Sequence, residues 1–169
     1  MTVLIENDYI KLMLTREKDL GFVTAAESAS ENVRFVGQWS IDQHRATFFD
    51  KDTLHLIVKN LDEKSVGYVI IRGLKNPNDS VEFMRIVVTE KGKGYGSEVF
   101  KLIKKWCFDI HGAHRLWLDV LEHNLRAQKI YEAQGFVREG ILRECDKYEG
   151  EYHSVIMMSI LKREYQSQS

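Results

Sequence analysis

The alternation of apolar and polar positions divides the chain into short strands and amphipathic helices from end to end. Val3–Leu14 reads as one or two strands, with Leu12 and Leu14 alternating with polar Lys11 and a break near Asn7-Asp8. From Arg16 to about Gln43 the spacing turns helical and polar. Leu20, Val23 and Thr24 fall at i, i+3 and i+4, and Phe35, Val36 and Trp39 repeat that spacing in a second short helix. Thr53–Asn60 and Ser65–Arg72 are strand-like runs joined by Leu61-Asp-Glu-Lys64, a hairpin signal. Val81–Thr89 is the clearest strand. The turn Glu90-Lys-Gly-Lys-Gly-Tyr-Gly96 follows, then a helix from about Ser97 to Ile110 with an apolar stripe of Val99, Ile103, Trp106 and Ile110. Arg115–Leu121 is a further strand, and Asn124 opens a helix that ends by Gly135. Phe136–Ile141 and Tyr152–Leu161 read as a terminal strand pair around Tyr148-Glu-Gly150. The predicted order is β-α-α-β-β-β-α-β-α-β-β, an α/β (α+β) arrangement in one domain over residues 1–169.

Composition narrows the class. At 169 residues, 44% apolar and 29% charged, the chain is of ordinary globular make-up and needs no disulfide or metal staple. Lys and Arg number 24 against 25 Asp and Glu, a formal net charge of −1 that argues against an extended nucleic-acid partner. A local basic site stays compatible with that balance. Cys107 and Cys145 lie far apart without metal-ligand spacing, so two reduced thiols and no metal site are expected. The N-terminal stretch has no secretory pattern and no apolar run approaches a membrane span, which points to a cytoplasmic protein.

The glycine-rich turn carries the chemistry. The first turn of a helix offers amide N–H groups without intrahelical partners and a partial positive charge. Gly92, Gly94 and Gly96 permit the backbone angles and close approach that turn such amides into an anion cradle. Lys91 and Lys93 add charge, Tyr95 sits between two of the glycines, and Ser97 adds a hydroxyl. A P-loop needs a lysine followed by Ser or Thr, which is absent here. A dinucleotide fingerprint needs G-x-G-x-x-G at the opening of its domain, and this G-x-G-x-G follows a later strand.

Lys91-Gly-Lys-Gly-Tyr-Gly96 resembles the acyl-CoA-binding motif of the GCN5-related N-acetyltransferases, Arg/Gln-x-x-Gly-x-Gly/Ala, with Lys91 in place of the usual Arg or Gln. The resemblance continues through Leu118–Phe136, similar to the family's second motif: a strand, Asn124-x-x-Ala127, then Tyr131-x-x-x-Gly135-Phe136. Asn124, Ala127 and Tyr131 fall at i, i+3 and i+7 and share a helix face. Taken singly, Asn124 is a good N-cap and Tyr131 a core aromatic. The ends of the chain are similar to the subgroup of ribosomal-protein N-terminal and spermidine acetyltransferases.

This resemblance implies a mixed, mostly antiparallel sheet of about seven strands flanked by about four helices, with a splayed strand pair at the CoA site. It implies acetyl-CoA as co-substrate, held by the glycine turn, Asn124, Ala127 and Tyr131, with the pantetheine arm pairing to the backbone of Ile86, Val87 and Val88. It implies a catalysed transfer to a primary amine by direct attack on the thioester, with Tyr131 as general acid and Glu82 as the favoured base. His123 and Glu31 are weaker candidates. The acceptor is left open between polyamine, peptide N-terminal amine and other small amines, and a homodimer is common in the family. A CoA- or nucleotide-binding module without turnover is the alternative; a proton donor at the thiol favours the enzyme.

Overall fold

Cross-strand pairing of the apolar runs builds a single eight-stranded sheet in the structure, a computed structural model that describes residues 2–29 and 37–168. The strands are β1 (Val3–Glu6), β2 (Ile10–Leu14), β3 (Thr53–Asn60), β4 (Ser65–Arg72), β5 (Ser80–Val88), β6 (Arg115–Leu121), β7 (Val137–Tyr148) and β8 (Glu151–Leu161). Their order across the sheet is β1-β2-β3-β4-β5-β6-β8-β7. Every neighbouring pair is antiparallel except β5 and β6.

Helices cover both faces of the sheet. Helices α3 (Tyr95–Lys105) and α4 (Leu125–Ala133) lie over the larger apolar layer, in which Val99, Phe100 and Ile103 meet Phe83, Leu116, Met158 and Phe136. Helix α1 (Leu20–Ser28) covers the other face, where Val23 and Ala26 pack on Met13, Ile57, Tyr68, Ile70 and Val87. The period-2 alternation of β4 serves both layers, with Val69 and Ile71 on one and Tyr68 and Ile70 on the other. Among the described residues no helix is long and apolar enough to cross a membrane.

Four elements differ from the sequence reading. The second short helix, α2, runs over Ile41–Ala46. A capping box decides its start: Ser40 Oγ accepts from the Gln43 N–H while Gln43 Oε1 accepts from the Ser40 N–H. Trp39 thus lies outside the helix, and Phe35, Val36 and Glu31 lie outside the described residues. The long helix expected to run to Ile110 is α-helical only to Lys105, then widens into a π-turn at Trp106–His111. The extra residue per turn rotates Ile110 off the apolar stripe, and it is exposed. Strand β7 extends to Tyr148 rather than Ile141, because its pairing with β8 continues to Tyr148–Glu151 although none of its residues is buried. A polar C-terminal helix, α5 (Lys162–Gln168), has no apolar stripe to announce it.

Candidate active site

Strands β5 and β6 pair for only three steps, from Ser80–Arg115 to Glu82–Trp117, and then part. The cause lies in the β4–β5 ladder. Ile71 pairs with Phe83 but Ile70 with Arg85, so Met84 is an inserted residue, a bulge that bends β5 away from β6. The expected splayed pair is therefore present, and a cleft of about 640 Å³ opens between the strands. Glu82, Arg85, Ile86, Asp119, Tyr131 and Asp146 are among the residues on its walls.

Register also sorts the backbone groups of β5. The Thr89 N–H donates to the Val66 carbonyl, and in an antiparallel ladder such pairs alternate. Val87 is thus bonded toward β4, while the N–H and C=O groups of Ile86, a cleft residue, and of Val88 turn away from β4. Of the three residues expected to offer backbone partners, Ile86 and Val88 are turned the right way and Val87 is not. The Val87 side chain is buried beneath α1 instead.

Beyond Val88 the chain enters the glycine turn. Gly92 and Gly94 both take left-handed backbone angles, with φ of 81° and 79°, and Gly94 is the N-cap of α3. A Cβ on either would meet nothing within 4 Å, so dihedral strain rather than crowding demands glycine there. Gly94 offers α3 no side-chain cap, and the amides of Tyr95, Gly96 and Ser97 begin the helix beside it. Gly96 is the close one: its Cβ would lie 4.0 Å from a Val88 methyl. Lys93 sits 3.5 Å from Glu90, which Lys64 also holds at 2.6 Å. Lys91 is exposed at the turn. Ser97 Oγ accepts from Gln134 Nε2 at 3.3 Å, tying the first turn of α3 to the end of α4.

On α4, Asn124 caps the helix, its side-chain oxygen accepting from the Ala127 N–H at 3.2 Å. It also lines the cleft. Ala127 is half-buried against the core. Tyr131 packs on Phe100, with ring centroids 5.5 Å apart, and reaches the cleft wall. Its backbone is fixed by the helix stop: the Phe136 N–H donates to the Tyr131 carbonyl and the Gly135 N–H to the Glu132 carbonyl, a Schellman closure. Burial, aided by the Asp119 charge, pushes the Tyr131 phenol up to about 12, so the hydroxyl keeps its proton at neutral pH.

The carboxylates are arranged differently from the sequence expectation. Glu82 is buried, as expected, but the Arg72 guanidinium grips it through Nε at 3.0 Å and Nη2 at 3.1 Å. That ion pair engages both carboxylate oxygens. Asp119, on β6, faces the same cleft without an ion pair among the described residues. Burial and then the Glu82 charge push its carboxyl above the ordinary carboxylate range, with Arg72 offsetting part of the rise. Sequence reasoning passed over Asp119 because it reads as one polar position in an alternating strand. His123 does not line the cleft; its ring lies 5.0 Å from that of His153.

The model of the Acetyltransferase (GNAT) family matches residues 23–136, about two thirds of the chain. The chain belongs to that family. It is an N-acetyltransferase that takes its acetyl group from acetyl-CoA, and its fold is the family's. Spermidine N(1)-acetyltransferase of Vibrio cholerae is 26% identical over 174 residues, covering 96% of this chain and 99% of that protein. A dodecameric structure of spermidine N-acetyltransferase from Vibrio cholerae superimposes with a TM-score of 0.82 at 26% identity, over 96% of this chain and 99% of that one. The Vibrio cholerae enzyme in complex with CoA and spermine gives a TM-score of 0.83 over 95% of this chain and 99% of that one; at 24% identity it shows the shared fold.

Proposed function

We propose that this acetyltransferase modifies a primary amine of a small polycationic acceptor of the polyamine class, within one catalytic domain spanning the chain. The observation that carries the reading is the cleft itself. The proton donor Tyr131 and the carboxylates Asp119 and Asp146 lie on its walls, where β5 offers unpaired backbone N–H groups. The full-length likeness to a spermidine acetyltransferase supports the acceptor class.

Acetyl-CoA supplies the thioester, and each residue of the site has a defined task. The amides at Tyr95, Gly96 and Ser97 hold the pyrophosphate, and the open backbone of Ile86 and Val88 aligns the pantetheine arm. Asp119 takes a proton from the ammonium, whose free value near 10.4 leaves it charged at neutral pH. The neutral nitrogen forms its bond to the acetyl carbon, and the Ile86 N–H donates to the carbonyl oxygen as charge builds there. As the carbon–sulfur bond breaks, the Tyr131 hydroxyl gives its proton to the departing thiolate. The nitrogen gives up its second proton as the intermediate collapses and that proton restores Tyr131, so one proton passes from nitrogen to sulfur and the one taken by Asp119 leaves to solvent.

Copies of the chain assemble as a homodimer in this reading. Strand β7 is an exposed sheet edge carrying Val137, Ile141 and Leu142, and a relative's dodecamer shows that related chains associate. A cytoplasmic setting fits the free thiols of Cys107 and Cys145. The test is thiol release from acetyl-CoA across polyamines, peptides, aminoglycosides and monoamines, with light scattering for mass. Spermidine-type amines turn over fastest under this reading; turnover confined to peptides or aminoglycosides overturns the acceptor class.

A further inference from the structure

On the acceptor side of the cleft a buried polar network, unused by the chemistry above, ends on the cleft wall. Its hub is Glu27 of α1, whose side chain is 1% exposed. The carboxylate accepts from the Trp39 N–H at 2.5 Å, His44 Nε2 at 2.9 Å, the Tyr68 hydroxyl at 2.5 Å and Arg85 Nη1 at 3.0 Å. Behind it, His44 Nδ1 lies 2.9 Å from His55 Nε2, and His55 Nδ1 lies 2.8 Å from Thr15 Oγ1.

With His44 singly protonated, one proton arrangement satisfies every member. Arg85 and the Trp39 N–H can only donate, so Glu27 is the anion, the Tyr68 hydroxyl donates to it and His44 Nε2 carries hydrogen. His44 Nδ1 then accepts from His55 Nε2–H, and His55 Nδ1 accepts from the Thr15 hydroxyl. His55 is neutral, in keeping with burial that drives it down to about 3. Burial pushes Glu27 up, but its donors, led by His44, outweigh that and hold it below its ordinary value. In that arrangement the charges in the network are Glu27 and Arg85, an ion pair at 3.0 Å.

Arg85 is fixed on every side. Its guanidinium carbon stands 4.7 Å over the Trp39 ring, Glu27 takes its edge, and a Cβ at Gly37 would lie 2.6 Å from Nη2. It nonetheless lines the cleft, beside Gly37 and Gln38. A buried ion pair adds little stability over apolar packing, so a clamped pair at a site wall calls for a role at that site.

We propose that Glu27 is a specificity-determining residue acting through Arg85: it cancels the Arg85 charge on the cleft wall and so admits acceptors that carry a second ammonium. The idea deepens the polyamine reading and rests on it for the natural acceptor. An arginine left unpaired there repels a polycation and leaves a monoamine, neutral when it reacts, much less affected. Glu27 is thus a positioning residue, and Arg85 is the group whose field the acceptor meets.

The test compares a linear alkyl monoamine, the diamine of equal length and spermidine as acceptors, by thiol release from acetyl-CoA. For Glu27→Gln the expected result is a KM raised about tenfold or more for the diamine and spermidine, within about threefold for the monoamine, and a little-changed kcat. Glu27→Gln with Arg85→Gln removes both charges and restores the diamine KM, which loss of folding does not; thermal melting follows each variant. Equal loss on monoamine and diamine, or a double variant as poor as the single one, overturns the proposal. A wild type that turns over the diamine but not spermidine ends the polyamine reading alone, and the diamine series then decides this one. A wild type confined to the monoamine overturns both.

Discussion

Arg72 and Glu82 are direct cross-strand partners on β4 and β5, and the arginine fork closes on the carboxylate where β5 and β6 make their last pairing. The pair anchors the strand at the point from which the cleft opens. Glu82 is therefore expected to support the site, with proton transfer resting on Asp119. Asp119→Asn should lower kcat by about 10²-fold, the scale of a lost general base, while Glu82→Gln should stay within about tenfold of wild type. Steady-state kinetics near neutral pH check the order; a larger loss at Glu82 returns the base to it. The acid limb of the rate profile should also vanish in Asp119→Asn, because the raised Asp119 carboxyl must be ionised to act.

Tyr131 holds its proton well above neutral pH, pushed to about 12 by burial, and so serves as a donor across the working range. Tyr131→Phe keeps the packing on Phe100 and removes only the hydroxyl. It should lower kcat by about 10²-fold with the KM for acetyl-CoA nearly unchanged. Wild-type turnover with a good amine would show that the thiolate leaves without help from Tyr131.

Gly94 caps α3 at φ 79°, a region costly for any residue with a Cβ and most costly for a β-branched one. Gly94→Val should distort the cradle and abolish measurable acetyl-CoA binding by calorimetry. Gly112→Ala, at another left-handed position far from the turn, controls for strain alone and should leave binding intact. Unchanged affinity in the Gly94 variant removes the cradle from the binding site.

Stability should fall on mild acidification, and the buried His55 sets the window. His55 titrates near 3 in the folded chain against 6.5 for an ordinary histidine, so the unfolded chain binds its proton first. The neutral network is fully favourable above about pH 6.5, and its contribution is lost as pH falls toward about 3, by at most about 1.4 kcal/mol per unit. Glu27, held below its ordinary value, adds a loss below pH 4.5. Urea midpoints at intervals from pH 7.5 to 5 measure the slope, which should flatten in His55→Gln. A slope identical in that variant would place the titrating group elsewhere.

The glycine turn, the strand before it and the helix pair after it were legible from the sequence because each is set by neighbours a few residues away. Left-handed angles at Gly92 and Gly94, the Asn124 cap and the Gly135 stop all act within one turn of chain. The limits of α2 and of the π-turn after Lys105 were less legible, since a capping box and one extra residue outweighed apolar spacing. What only the tertiary structure decided is which distant side chains meet. The Met84 bulge sets which backbone groups of β5 are free, and it exists only as a register between two strands. Glu82 looks like a free acid until β4 places Arg72 opposite it. Glu27 and Arg85, 58 residues apart, become partners only when α1 packs on the sheet. Local chemistry is written in local spacing, whereas pairing across strands and layers depends on burial of the whole core, and the charge of this cleft is settled there.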